Sequence, residues 1–244
     1  MNLIIDVGNS FVKLAVFKEG KLEHKKTVDI DDVLQYVNDL KEEYKGIEKA
    51  IISSVGELKK RNIKAISKLF NLLILNHDTR LPFVNLYNTP KTLGVDRIAL
   101  VCASVNKFPE NNVLIIDAGS CITYDFVNSK NEYLGGAISP GLRMRYKALN
   151  TFTANLPLLE TEKPNDIIGK STKESINSGV VCGILNEIEG VIEAYKLKYP
   201  DLTVILTGGD AKFLSKQLKS SIFANSNFLL EGLNYILQFN SNEW

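Results

Sequence analysis

Residues 3–8 read LIIDVG and residues 114–119 read LIIDAG, five identical letters of six at an offset of 111 in a chain of 244. A short apolar run of this kind reads as a buried strand, and the Asp-x-Gly that ends it reads as a turn. The surroundings repeat as well. Around the first copy, β-rich runs at 2–6 and 11–17 flank Gly8-Asn9-Ser10, and Lys18-Glu19-Gly20 turns the chain into a third strand. Around the second, NVLIIDAGSCITYDFVNSKNEYLGGAISPG (112–141) gives strand, turn, strand, turn, strand. A unit copied once is not an array of short repeats. It predicts two related lobes, each opening with a β-meander and continuing with alternating helices and strands.

The rest of each half follows that programme. Ile30, Val33, Leu34, Val37, Leu40 and Tyr44 keep a helical period, with aspartates at its start and Gly46 after it. KAIISSVG (49–56) predicts a buried strand, 57–70 a helix and NLLILN (71–76) another strand. After a loop with Pro82 and Pro90, a helix is expected from about Ile98 to Lys107. In the second half, helices are expected at 141–152, 171–198, 211–219 and 228–238. A strand, LTVILTGGDA (202–211), runs into a glycine pair, and a short apolar segment lies near 222. Proline, asparagine and charge cluster in KFPENN (107–112), which sets the expected lobes at 1–108 and 109–244.

Composition excludes several classes. Hydrophobic residues make up 45% and charged residues 23%, the balance of an ordinary globular protein. The net charge of +1 and the lack of a basic cluster argue against nucleic acid or an acidic membrane as partner. No apolar run reaches the length of a membrane span, and Asp6 comes too early for a signal peptide. Cys102, Cys121 and Cys182 lie far apart, and there are only two histidines. A disulfide framework or zinc site is therefore not expected, and a cytoplasmic location is.

The turns carry the chemistry. Gly8 lets a phosphate approach the backbone N–H groups, Asn9 and Ser10 add hydrogen-bonding side chains, and Lys13 reaches as a point charge. Asp6 at the end of a buried strand needs a partner. Magnesium is one, and its own backbone in a turn is another. The second turn offers Asp117, Gly119, Ser120 and Thr123. Gly208-Gly209 between a strand and a helix admits a ribose or a flat ring.

Asp-x-Gly-x-Ser written twice and followed by a late Gly-Gly turn resembles the superfamily of acetate and sugar kinases, Hsp70 and actin. Within it, YNTPKTLGVDRIAL (87–100) and DVGNSFVK (6–13) look like the Gly-x-Asp-Arg segment and the first phosphate loop of type III pantothenate kinases. DAGSCITYD (117–125), GGAISPG (135–141), GKST (169–172) and TGGDA (207–211) follow in that family's order. Ser120 stands where threonine is commoner, and Cys121 where a small residue is usual.

The resemblance implies two ribonuclease-H-like lobes with mixed β-sheets flanked by helices, in the actin-like ATPase manner. It implies ATP-dependent phosphorylation of pantothenate to 4′-phosphopantothenate, with Mg²⁺, a monovalent cation (K⁺ or NH₄⁺) and a homodimer that shares its active site. Nucleotide binding falls on Asp6, Val7, Gly8, Asn9, Ser10, Phe11, Val12, Lys13 and Ser120, and metal binding on Asp6 and Asp117. Pantothenate binding falls on Tyr87, Gly94, Val95, Asp96, Arg97 and Thr172. By resemblance Asp96 is the general base, while the residues alone also allow it as a helix N-cap. Thr172 has the same alternative, Tyr87 that of a core residue and Arg97 that of a surface ion pair. Another phosphotransferase of the superfamily, or a non-catalytic regulator, are the rival readings. The 171–198 helix carries a stripe, Ile176, Val180, Ile184, Ile188 and Ile192, that suits its own lobe or a partner.

Overall fold

In the computed structural model, which describes residues 1–8, 11–54 and 58–241, both copies of the repeated run are strands. β1 (Asn2–Val7) is followed by β2 (Val12–Lys18), β3 (Lys21–Val28), α1 (Val33–Glu43), β4 (Lys49–Ser54), α2 (Lys60–Leu69) and β5 (Asn71–Ile74). Then come β6 (Val84–Asn85), a single 3₁₀ turn at Pro90–Thr92 and α3 (Val95–Lys107). The second copy is β7 (Val113–Ala118). It leads to β8 (Cys121–Val127), β9 (Glu132–Pro140), α4 (Leu142–Thr151), α5 (Thr172–Asn177), α6 (Gly183–Lys198), β10 (Thr203–Thr207), α7 (Ala211–Ser215), β11 (Phe223–Ala224) and α8 (Phe228–Ser241).

The copies match strand for strand. One sheet runs β3-β2-β1-β4-β5, and five strands of the other run β9-β8-β7-β10-β11. β2 is antiparallel to β1 as β8 is to β7. β4 is parallel to β1 and β5, as β10 is to β7 and β11. The expected two-lobed, mixed-sheet α/β architecture is therefore the observed one.

The chain divides into two compact units. The first comprises Met1–Pro109, Asn131–Tyr133 and Asn227–Trp244, and the second Glu110–Lys130 and Leu134–Ser226. In the first, alternation along β1 sends Leu3, Ile5 and Val7 into a core with Leu14, Ile52, Val37 and Ile66. Its other sheet face, with Ile4 and Ile51 fully buried, lies against α8. There Asn2 Nδ2 donates to Asn234 Oδ1 at 2.8 Å. α8 also packs on α3, so closely at Gly232 that a Cβ there would strike the Ala99 carbonyl. β6 pairs with Glu132 and Tyr133 inside this unit.

In the second unit, Leu114, Ile116, Tyr124 and Leu206 of the sheet meet Ile176, Val180, Ile184, Ile188 and Ile192. The stripe of the 171–198 helix thus turns into its own lobe. The helix is also not regular throughout, because a π-helical segment at Ser178–Cys182 joins α5 to α6. The helix expected at 211–219 is only one and a half turns long. At the other expected helix, α2, residues 55–57 lie outside the described residues.

Candidate active site

β1 and β2 pair through Asp6↔Lys13 and Val7↔Val12. Gly8 N then donates to Phe11 O at 3.0 Å, and Asn9 and Ser10, expected to supply hydrogen-bonding side chains, lie outside the described residues. Val7 and Val12 are fully buried in the core, so only their backbone is available to a ligand, while Phe11 is exposed. A Cβ on Gly8 would press on Phe11 O at 3.2 Å, so glycine keeps this corner tight.

Asp6 is 6% exposed and stands 3.7 Å from Lys13 Nζ, whose side chain is half exposed. Burial pushes the Asp6 carboxyl up, Lys13 pulls it back, and Asp96 pushes it up again, leaving it above its ordinary value. Asp6 and Asp96, both in the first unit, thus act on each other electrostatically.

Asp96 sits on the second residue of α3, not at its N-cap. Gly94 holds that position, and the helix begins three residues earlier than expected. The cap reading of Asp96 is corrected accordingly, although its Oδ1 still accepts from Arg97 N at 2.8 Å. A Cβ on Gly94 would run into this carboxylate, so Gly94 is what lets Asp96 fold back over the helix start. The entering chain is fixed by the Leu93 carbonyl, 2.9 Å from His77 Nε2. Arg97 is 5% exposed and lies over the Tyr87 ring, Cζ to centroid 5.7 Å, so it is not a surface residue. Tyr87 is half-buried, its ring centroid 6.0 Å from that of Tyr133, with its N–H donating to Asn85 Oδ1 at 3.0 Å.

The second unit repeats the hairpin with a shorter loop. Asp117↔Thr123 and Ala118↔Ile122 pair, then Gly119 N donates to Cys121 O at 3.0 Å, so Ser120 alone forms the tip, exposed. Half-buried Cys121 thereby takes the place that Phe11 holds in the first copy. Gly208, at φ +97°, closes against this turn: a Cβ there would collide with Ala118 O and the Asp117 carboxylate. Asp210 N donates to Ala118 O at 3.0 Å. Asp117, the Ala118–Ser120 backbone and the Gly208-Gly209 turn are therefore brought together.

Thr172 lies elsewhere in the same unit, exposed on the wall of an open cavity of about 1190 Å³. It is the first helical residue, and the cap is Ser171, which accepts from Glu174 N at 3.2 Å. Phe152, Leu156, Ile176 and Val180 line the apolar side of this cavity and Arg145 its charged side. Arg145 is a residue that sequence reasoning missed. It donates to Pro140 O, Ser139 Oγ and Glu187, and Tyr124 donates to Glu187 from the core. Burial opposes the Glu187 charge, but these donors outweigh it and hold its carboxyl below the ordinary value. The only signal for Arg145 was its place after PGLRM, and no spacing rule makes that a site. Half-buried Asp210, raised by desolvation alone, was also visible only as a letter of the glycine turn.

Among the described residues no three His, Cys, Asp or Glu side chains gather as a metal site, and no helix is long and apolar enough to cross a membrane.

The sequence pattern of a family described as type III pantothenate kinase matches residues 2–194. A type III pantothenate kinase of Christiangramia forsetii is 52% identical over 243 residues, covering all of both chains. One of Flavobacterium johnsoniae is 44% identical, covering 98% of each. A crystal structure from Campylobacter jejuni, described as a Baf family transcriptional activator, superimposes with a TM-score of 0.67 at 26% identity, over 98% of this chain and 99% of that one. A ROK family glucokinase of Streptomyces griseus, solved with glucose and AMPPNP, matches in fold with a TM-score of 0.55 at 10% identity, over 98% of each chain.

Proposed function

From the premise that the chain belongs to the type III pantothenate kinase family, we propose which of its residues carry the reaction. The enzyme phosphorylates pantothenate with ATP, giving ADP and 4′-phosphopantothenate at the first step of coenzyme A biosynthesis. The observation that carries the assignment is the start of α3, where Gly94 lets the Asp96 carboxylate fold back onto the Arg97 N–H and Arg97 lies over the Tyr87 ring.

In this reading Asp96 accepts the proton of the pantothenate hydroxyl as that oxygen attacks the γ-phosphorus. The Arg97 N–H that its Oδ1 accepts at 2.8 Å fixes the orientation of the carboxylate. Arg97 and Tyr87 position pantothenate, Arg97 as a rigid fork of donors fixed by its stacking on the tyrosine ring. Gly94 and Val95 offer backbone only. Residues 6–13 cradle the phosphates, with Gly8 giving close approach and Lys13 a mobile charge.

The donors suit the ions that the family implies. Asp6 is a single buried carboxylate at a strand end, and Mg²⁺ takes one or two carboxylates beside phosphate oxygens and water. Asp117 with the adjoining carbonyls suits a weakly hydrated K⁺ or NH₄⁺. Bound there, the ions offset the charge of the transferring phosphate. Ser120 offers its hydroxyl to a phosphate.

Thr172 completes the pantothenate pocket from a second copy of the chain. Support for a homodimer comes from apolar residues left in solvent: Phe152, on the cavity wall, is 85% exposed, and Ile167 and Ile168, in the segment before Thr172, are each 70% exposed. The three cysteines are all free, which suits the cytoplasm. Coupled ADP release tests the assignment. Pantothenate should drive it and K⁺ should stimulate it. Turnover of a sugar instead would place the chain's chemistry with another branch of the fold.

A further inference from the structure

Ser53 stands beside Asp6 in the sheet. The two are register partners on the parallel strands β1 and β4, so their side chains leave the same face. The opposite face belongs to the core under α1 and α2. On the Asp6 face, Lys13 is the neighbour across β2, and α3 packs against β4. Ser53 is 1% exposed, and its Oγ has no hydrogen-bond partner among the described residues. A buried hydroxyl left unpaired costs stability, so its presence asks for a reason.

Lys13 supplies one. Its ammonium lies 3.7 Å from Asp6 Oδ2 while half of its side chain is in solvent, and the Asp6 side chain is only 9% exposed. The same lysine is assigned to a nucleotide phosphate. One ammonium does not serve a buried carboxylate and an outlying phosphate equally well. When it turns outward, the Asp6 oxygen that it faced loses that partner, with Ser53 beside it in the sheet. Adjacent strands lie about 4.8 Å apart, and a change of χ1 swings a serine oxygen toward the next strand.

We propose that Ser53 is a positioning residue of the phosphate cradle, its hydroxyl donating to the Asp6 carboxylate when Lys13 turns from Asp6 to a nucleotide phosphate. The inference rests on the reading of Asp6 and Lys13 given above. The exchange keeps the Asp6 carboxylate in one rotamer while the nucleotide is held.

The test is a calorimetric titration of Mg²⁺ and a non-hydrolysable ATP analogue into wild type, Ser53→Ala and Ser53→Thr, with thermal melts of each. Ser53→Ala removes an unpaired buried hydroxyl, so it should melt at or above the wild-type temperature. It should nevertheless bind the nucleotide about tenfold or more weakly, the scale of a hydrogen bond to a charged group. Ser53→Thr keeps the hydroxyl and should restore affinity. On a Lys13→Met background, where no ammonium leaves Asp6, Ser53→Ala should add no further loss. Wild-type affinity in Ser53→Ala, equal weakening in folded Ser53→Thr, or full additivity with Lys13→Met would each overturn the proposal. Wild-type protein that binds the nucleotide but leaves pantothenate untouched would defeat the kinase assignment alone, and the titration would still decide Ser53.

Discussion

Asp96→Asn keeps the size of the side chain and an oxygen to accept from Arg97 N, but it removes the base. Steady-state kinetics should show kcat reduced by about 10²–10⁴-fold, the usual range for general-base loss, with nucleotide affinity little changed. Near-normal turnover would return Asp96 to a purely structural place on α3. Asp6 makes a different prediction, about stability. Its folded carboxyl is raised above the ordinary 3.8, so the folded state holds that proton more tightly than the unfolded chain. Stability therefore falls as pH rises from the ordinary value through the raised one. Asp6→Asn should melt above wild type at neutral pH, lose that advantage in acid, and bind Mg²⁺–nucleotide poorly. Thermal melts at both pH values check the sign. These residues were legible because a carboxylate at the end of an apolar strand stands out in sequence. Ser53 was not, since a serine in a strand carries no mark until its neighbours are known.

The hairpins were readable as elements because strand alternation and Asp-x-Gly turns are local signals. The loop difference was not: the second hairpin is one residue shorter, and only the strand register places Cys121 opposite Gly119. α3 starts three residues before the expected position, because Gly94 is an unremarkable letter until its missing Cβ is seen to accommodate Asp96. Gly208 has the same character. Gly208→Ala forces an L side chain into φ +97° and into Asp117, which should cost of order 1–3 kcal/mol in denaturant unfolding and weaken the response to K⁺. The helical stripe was periodic, but periodicity does not say what covers it. Ile184 proves to be fully buried in its own lobe. Ile184→Glu should accordingly unfold the second unit, at more than about 4 kcal/mol, and is no probe of assembly.

At the scale of the molecule, the repeat in sequence became a repeat in topology, while the docking of α8 on α3 joins segments more than a hundred residues apart and left no trace in either stretch. Assembly is probed on the exposed rim of the Thr172 cavity. Phe152→Glu alters a side chain that is 85% exposed, so folding should be kept. Light scattering should then find monomers that bind nucleotide but do not turn over pantothenate, whereas an active monomer would remove Thr172 from the site. The most direct test of the central claim is the product itself. Purified chain, Mg²⁺–ATP, K⁺ and pantothenate are incubated, and the products are identified by mass spectrometry and ³¹P resonance. Formation of 4′-phosphopantothenate in step with ADP, abolished in Asp96→Asn, is the predicted result. ADP without phosphorylated pantothenate, or unaltered product in Asp96→Asn, would contradict it.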